Sequence, residues 1–144
     1  MTNLKAYLAH SWRRKNHPDK YRIIKALKER KVVVVDPFEG EEELYAKYGE
    51  TDYYTNCIYK LGREIWVKDL AQIRDCELFV AWVPNHTNGS MFGVAYELCY
   101  AFMNHKFIQI ISPRKRVCFA YVLSKGNQQF ETIEDFENVR VMRW

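Results

Sequence analysis

Four valines in a row, Val32 to Val35, closed by Asp36-Pro37, set the frame for this chain. A half-exposed strand or an amphipathic helix needs polar residues at regular intervals, and this run has none. A stretch apolar on both faces reads as a central strand of a parallel sheet, covered by helices above and below. The same grammar recurs in Leu78-Phe79-Val80-Ala81-Trp82-Val83, ended by Pro84, and in Phe107-Ile108-Gln109-Ile110-Ile111, ended by Ser112-Pro113. Leu4 to Ala9 reads as a short strand in which Leu4, Ala6 and Leu8 alternate with Lys5 and Tyr7, and Val117 to Leu123 reads as a fifth.

Helical patterns fill the intervals. Pro18 suits a helix start, with His17 or Asn16 leading in, and Ile23, Ile24 and Leu27 recur at helical spacing toward Arg30. Glu39 to Tyr48 is acidic and reads as a short helix or an ordered loop. Asn56 to Arg74 carries Trp66, Leu70 and Ile73 on one stripe, and Phe92 to Asn104 turns Val94, Leu98, Ala101 and Phe102 inward. Thr132 opens a closing helix as a cap, with Asp135 three residues on. Alternation of this kind predicts an α/β protein with a parallel five-stranded sheet and helices on both faces.

At 144 residues the chain suits a single domain, 1–144, with 48% hydrophobic and 28% charged residues. No run reaches the roughly 18 apolar residues of a membrane helix, and Met1 to Lys5 lacks the head of an export signal. A cytoplasmic protein with no membrane partner is expected, and the scattered Cys57, Cys76, Cys99 and Cys118 then read as reduced thiols. No cysteine or histidine pair has metal-ligand spacing, so neither metal nor cofactor is expected. A net charge of +4 is compatible with a phosphorylated ligand but too small to argue for nucleic acid. Most of the Tyr and Phe residues fall at strand or helix spacing and read as core rather than as base-stacking platforms.

In parallel sheets ligands bind beyond the carboxyl ends of the strands. After the first strand comes His10-Ser11-Trp12-Arg13-Arg14, whose hydroxyl and guanidinium groups near a helix start suit a phosphate or carboxylate. After the third comes Asn85 to Gly93, rich in amides, hydroxyls and glycine. His10, Ser11, Arg13, Asn88, Ser90 and Gly93 are the substrate-binding candidates on these loops. Glu97 emerges from a mostly apolar helix start, and Asp69 lies beside Leu70 on the preceding helix. Each alone is commonly a dipole-favoured or solvated acid. Brought together, two carboxylates can divide the work of nucleophile and proton donor at an anomeric carbon.

These residues also form a pattern. Asp69 to Ala81, an Asp on a helix running into a core strand, and Gly93-Val94-Ala95-Tyr96-Glu97-Leu98-Cys99-Tyr100-Ala101, with Tyr7-Leu8-Ala9 ending strand one, resemble the nucleoside 2-deoxyribosyltransferases and their relatives, the 2′-deoxynucleoside 5′-monophosphate N-glycosidases. The resemblance spans roughly residues 4 to 112. It implies a flavodoxin-like (Rossmann-like) domain that cleaves the N-glycosidic bond of a nucleoside or nucleotide. By that resemblance Glu97 is the nucleophile, Asp69 binds the sugar or assists departure of the base, and Tyr7 positions nucleophile or sugar. Ser11, Arg13 and Ser90 are implied to hold a 5′-phosphate, and assembly as a homodimer or larger homo-oligomer is implied too.

The chain departs from the transferases in having Met91-Phe92 where they carry an acid, and in having Cys99 for a usual Gly. These departures favour hydrolysis of a nucleotide over base exchange. Two other readings stay open. Tyr7 to Ser11 resembles the strand-one box of TIR-like NAD glycohydrolases, and the missing acid is compatible with a non-catalytic nucleotide-binding module.

Overall fold

The computed structural model describes residues 3–11, 14–47, 58–84, 92–113, 119, 122–123 and 126–139. Its elements run β1 (Lys5–Ala9), α1 (Pro18–Glu29), β2 (Val33–Val35), α2 (Glu41–Lys47), α3 (Ile58–Asp75), β3 (Leu78–Trp82), α4 (Phe92–Met103), β4 (Phe107–Ile111), β5 (Gln128–Phe130) and α5 (Ile133–Glu137). The five strands form one parallel sheet in the order β2-β1-β3-β4-β5. This is the flavodoxin-like order expected from the sequence. The order in which strands are added reverses between β1 and β3, where such sheets take their ligands.

The valine run is the sheet's edge, not its centre. β2 pairs only with β1 among the described strands, and Val33 is 43% exposed. The run is apolar on both faces because Val34 packs into one core layer and Val35 into the other. Two-sided cover, rather than a central position, is what four valines encode here. The centre is β3, all five residues of which are buried.

Strand parity sorts the core into two layers. Tyr7, Ala9, Phe79, Ala81, Ile108 and Ile110 face Ile73 of α3 and Val94, Leu98 and Ala101 of α4. Ala6, Leu8, Leu78, Val80 and Trp82 face Ile23, Ala26 and Leu27 of α1 and Ile133 and Phe136 of α5. The Tyr7 ring stacks on Phe79, centroids 5.7 Å apart.

The fifth strand also differs from its expected position. Within 117–123 the described residues, Phe119, Val122 and Leu123, are helical and pack into the α3–α4 layer. Their spacing of three and four residues fits that helical state. The strand is instead Gln128–Phe130, held by polar groups that hydropathy does not reveal. Gln109 Nε2 donates to Gln128 Oε1 at 2.9 Å, and Gln129 Nε2 to the Ser112 carbonyl at 3.0 Å.

Helix starts follow the sequence closely. His17 caps α1, its Nδ1 accepting from the Asp19 amide at 3.1 Å, with Pro18 in the first turn. Thr132 caps α5, Oγ1 accepting from the Asp135 amide at 3.0 Å. That cap aims the buried Ile133 and Phe136 at α1, so Thr132→Ala is expected to lower stability by about 1 kcal/mol, read from urea denaturation midpoints. Among the described residues no helix is long and apolar enough to cross a membrane.

Candidate active site

The parity that buries Tyr7 against Phe79 also turns its phenol toward α3 and α4. There the hydroxyl faces the Glu97 carboxylate and favours its ionised form. Glu97 and Asp69 are each only 8% exposed. Burial pushes Glu97 up to about 8; the Tyr7 phenol opposes the shift, while the charges of Asp69 and Glu41 add to it. Burial likewise pushes Asp69 up to about 7, against the pull of Lys68 and with a push from Glu41. Tyr7 is raised well above the usual phenol range by burial and by the facing Glu97. The structure therefore brings Tyr7, Asp69 and Glu97 into one electrostatically coupled group.

Polar atoms here are buried without hydrogen bonds among the described residues. They are Tyr7 Oη, Glu97 Oε2 and, one turn beyond Asp69, Gln72 Oε1, while Asp69 Oδ1 has only an ion contact with Lys68 at 3.4 Å. Buried polar atoms are normally satisfied, so a concentration of exceptions marks a site shaped for a polar ligand. Gly93 belongs to it as well. Among the described residues, a methyl group there would come within 3.9 Å of Glu97 Oε1, an ordinary contact, which places Gly93 beside that oxygen.

His10 lies elsewhere. Three residues beyond Tyr7, it falls on the α1 side of the sheet, buried, with Nδ1 3.1 Å from the Leu8 carbonyl and Nε2 3.7 Å from Asp36 Oδ1. Phe38 and Trp82 flank its ring, and burial lowers its pKa. Asp36 is itself paired with Lys20 at 2.8 Å. Ser11 is half-buried at the start of the β1–α1 loop, its carbonyl accepting from the Arg14 amide at 3.0 Å. Arg13, Asn88 and Ser90 lie outside the described residues.

Two participants were not legible in the sequence. Glu41, in the first turn of α2, is 2% exposed, and Lys68 sits next to Asp69 on α3. Their ammonium–carboxylate distance is 3.0 Å. In the sequence Glu41 is one of four acids in Glu39–Glu43, with nothing to separate it from its solvated neighbours.

No family profile matches the sequence, and no curated protein does. Solved structures do. A 2-deoxyribosyltransferase from the psychrotolerant bacterium Bacillus psychrosaccharolyticus superposes with a TM-score of 0.63 at 19% identity, over 93% of this chain and 90% of that one. The CMP N-glycosidase BcmB of Clostridium botulinum gives 0.60 at 14% identity, over 92% and 94%. A conserved protein from Enterococcus faecalis V583 gives 0.59 at 14% identity, over 94% and 96%. At these identities the shared property is the fold, over nearly the whole length of each chain.

Proposed function

We propose that this protein is an N-glycosidase that cleaves the bond between base and (deoxy)ribose of a nucleoside 5′-monophosphate through a carboxylate nucleophile. The observation that carries the reading is Glu97, buried beside Tyr7 and Asp69 with one oxygen unpartnered and the other next to Gly93. Two of the structures sharing the fold are described as a deoxyribosyltransferase and a CMP N-glycosidase, which supports this chemistry over a purely binding role.

In the proposed reaction a Glu97 oxygen attacks the anomeric carbon as the C–N bond breaks. The bonding pair leaves with the base, which takes a proton from Asp69. With Glu97 at about 8 and Asp69 at about 7, the reacting form, Glu97 ionised and Asp69 protonated, is the minor of the two singly protonated states of the pair. Tyr7 steadies the attacking carboxylate. Water then gives a proton to the Asp69 carboxylate as its oxygen attacks the anomeric carbon of the glycosyl ester; the C–O bond to Glu97 breaks, releasing the sugar 5′-phosphate and restoring both acids. A second base in place of water would make the same intermediate serve transfer. Ser11, Arg13 and Ser90 are assigned to the 5′-phosphate, with His10 and Asn88 on the same loops. The reading includes a cytoplasmic, homo-oligomeric protein, the latter checked by sedimentation velocity.

The test is chromatographic release of free base from a panel of nucleosides, ribo- and deoxynucleoside monophosphates and NAD. Release from monophosphates supports the reading. Release from NAD alone would replace it with a glycohydrolase of the TIR-like kind, and thermal stabilisation by a nucleotide without release would make the protein a binding module. Arg13→Ala is expected to raise KM for monophosphates by about 10-fold or more while nucleosides change little, since a charge-assisted phosphate contact contributes roughly 1.5–3 kcal/mol. Equal losses on both would remove the phosphate role.

A further inference from the structure

Lys68 places its ammonium against oxygens from three segments. These are the Pro37 carbonyl in the β2–α2 loop, Glu41 Oε1 on α2 at 3.0 Å, and Asp69 Oδ1 on its own helix at 3.4 Å. Adjacent helical residues do not share a face, so Lys68 leaves α3 about a quarter-turn away from Asp69. Only its long stem, bent back, returns the charge to the acid.

What holds it there is specific. A groove of about 720 Å³ between α2 and α3, lined in part by Glu43, Glu64 and Val67, offers the ammonium another direction and other carboxylates. Glu64 is already paired with Lys47 at 2.7 Å, whereas Glu41 is buried and bound to Lys68. A buried carboxylate is costly to keep unless it is paired. Glu41 and Lys68 therefore fix each other, and the Pro37 carbonyl completes the clamp.

We propose that Lys68, clamped by Glu41 and the Pro37 carbonyl, is a positioning residue of this site that sets how many protons Asp69 and Glu97 hold between them. Among the described residues, the charged and titratable groups around the pair are Tyr7 from β1, Glu41 from α2 and Lys68 from α3, with Asp36 behind Glu41 and committed to Lys20. Lys68 opposes the upward push of burial on both acids, and Glu41 reinforces it. A nucleophile must be ionised to attack and a donor must keep its proton, so this balance decides the pH at which the two roles coexist. The catalytic consequence rests on the function proposed above. The electrostatic part rests on the three contacts, of which the one to Asp69 touches the pair directly, while Glu97 is reached through charge alone.

Carboxylate ¹³C NMR titration of the full chain, labelled at Asp and Glu, tests it without a substrate. Lys68→Met is expected to move the Asp69 step up by about one pH unit, the scale of an opposite charge within a few ångströms. Lys68→Arg should restore it. Glu41→Gln keeps an acceptor for Lys68 but removes a negative charge, so it should move the steps of the Asp69–Glu97 pair down. Steps that stay in place in Lys68→Met overturn the proposal. Should that variant fail to fold, an unmoved pair in Glu41→Gln does the same. With an active substrate in hand, the acid limb of the kcat/KM profile should follow the NMR steps in Lys68→Met. A limb that stays fixed while the steps move overturns the positioning role. If no substrate in the panel is turned over, the function proposed above fails, while the titration still decides whether Lys68 controls the pair.

Discussion

Glu97→Gln is expected to reduce base release on the order of 10³- to 10⁴-fold while leaving nucleotide affinity within a few-fold of wild type. Glutamine keeps the volume and one carbonyl oxygen but cannot form the glycosyl ester, so binding and chemistry separate. Single-turnover assays beside calorimetric titration of a monophosphate make the comparison. Near-normal turnover in the variant would remove Glu97 from the nucleophile's role. Loss of binding in parallel with loss of turnover would make the carboxylate a structural or ligand-holding group instead.

The same residue should dominate the pH dependence of stability. Glu97 titrates at about 8 and Asp69 at about 7 in the folded chain, against about 4.3 and 3.9 when unfolded. Between those values the folded state holds protons that the unfolded state has released. Stability from these two acids is therefore fully present below about pH 4 and is lost as pH rises through 7 to 8. The expected loss for the pair is a few kcal/mol between pH 5 and pH 9.

Glu97→Gln removes its share of that slope. The variant should unfold at a higher denaturant midpoint than wild type at pH 9 and near the same midpoint at pH 4. Groups with lowered values, His10 in its buried site and the exposed Asp75 and Glu134, act in the opposite sense on the acid side. They are common to both proteins, so the wild-type–variant difference isolates Glu97. Parallel midpoints for the two proteins at all pH values would show that Glu97 is ionised throughout this range. An inactive variant that is the more stable at alkaline pH would locate the cost of the site in one carboxylate.

Much of this architecture was legible because its signals are local. The apolar runs of β3 and β4, Pro18 at the start of α1 and the Thr132 cap each specify an element from within a few residues. Glu97 and Asp69 stood out for a related reason, as acids among apolar neighbours. What failed depended on partners distant in sequence. The valine run reports cover on both faces, which an edge strand between two helix layers can also have. β5 reports nothing in hydropathy, since Gln128 and Gln129 are held by Gln109 and the Ser112 carbonyl.

Glu41 was hidden among its acidic neighbours because only its partner, 27 positions away, singles it out. His10 illustrates a different limit. Loop membership groups it with Ser11 and Arg13, while the parity of β1 places its ring on the face opposite Tyr7, beside Asp36.

β1 is in this sense a message read two letters at a time. Tyr7 pairs with Val35 on one side and Phe79 on the other, and its neighbours Ala6 and Leu8 belong to the opposite layer. Inserting or deleting one residue between Lys5 and Ala9 would exchange the layers, sending a leucine or alanine to the carboxylates and the phenol toward α1. Lineages descended from this chain should therefore tolerate changes in the length of the α1–β2 and α4–β4 turns far better than any change of length in this strand. There, one frame shift of the backbone would disable the chemistry and unpack both core layers together.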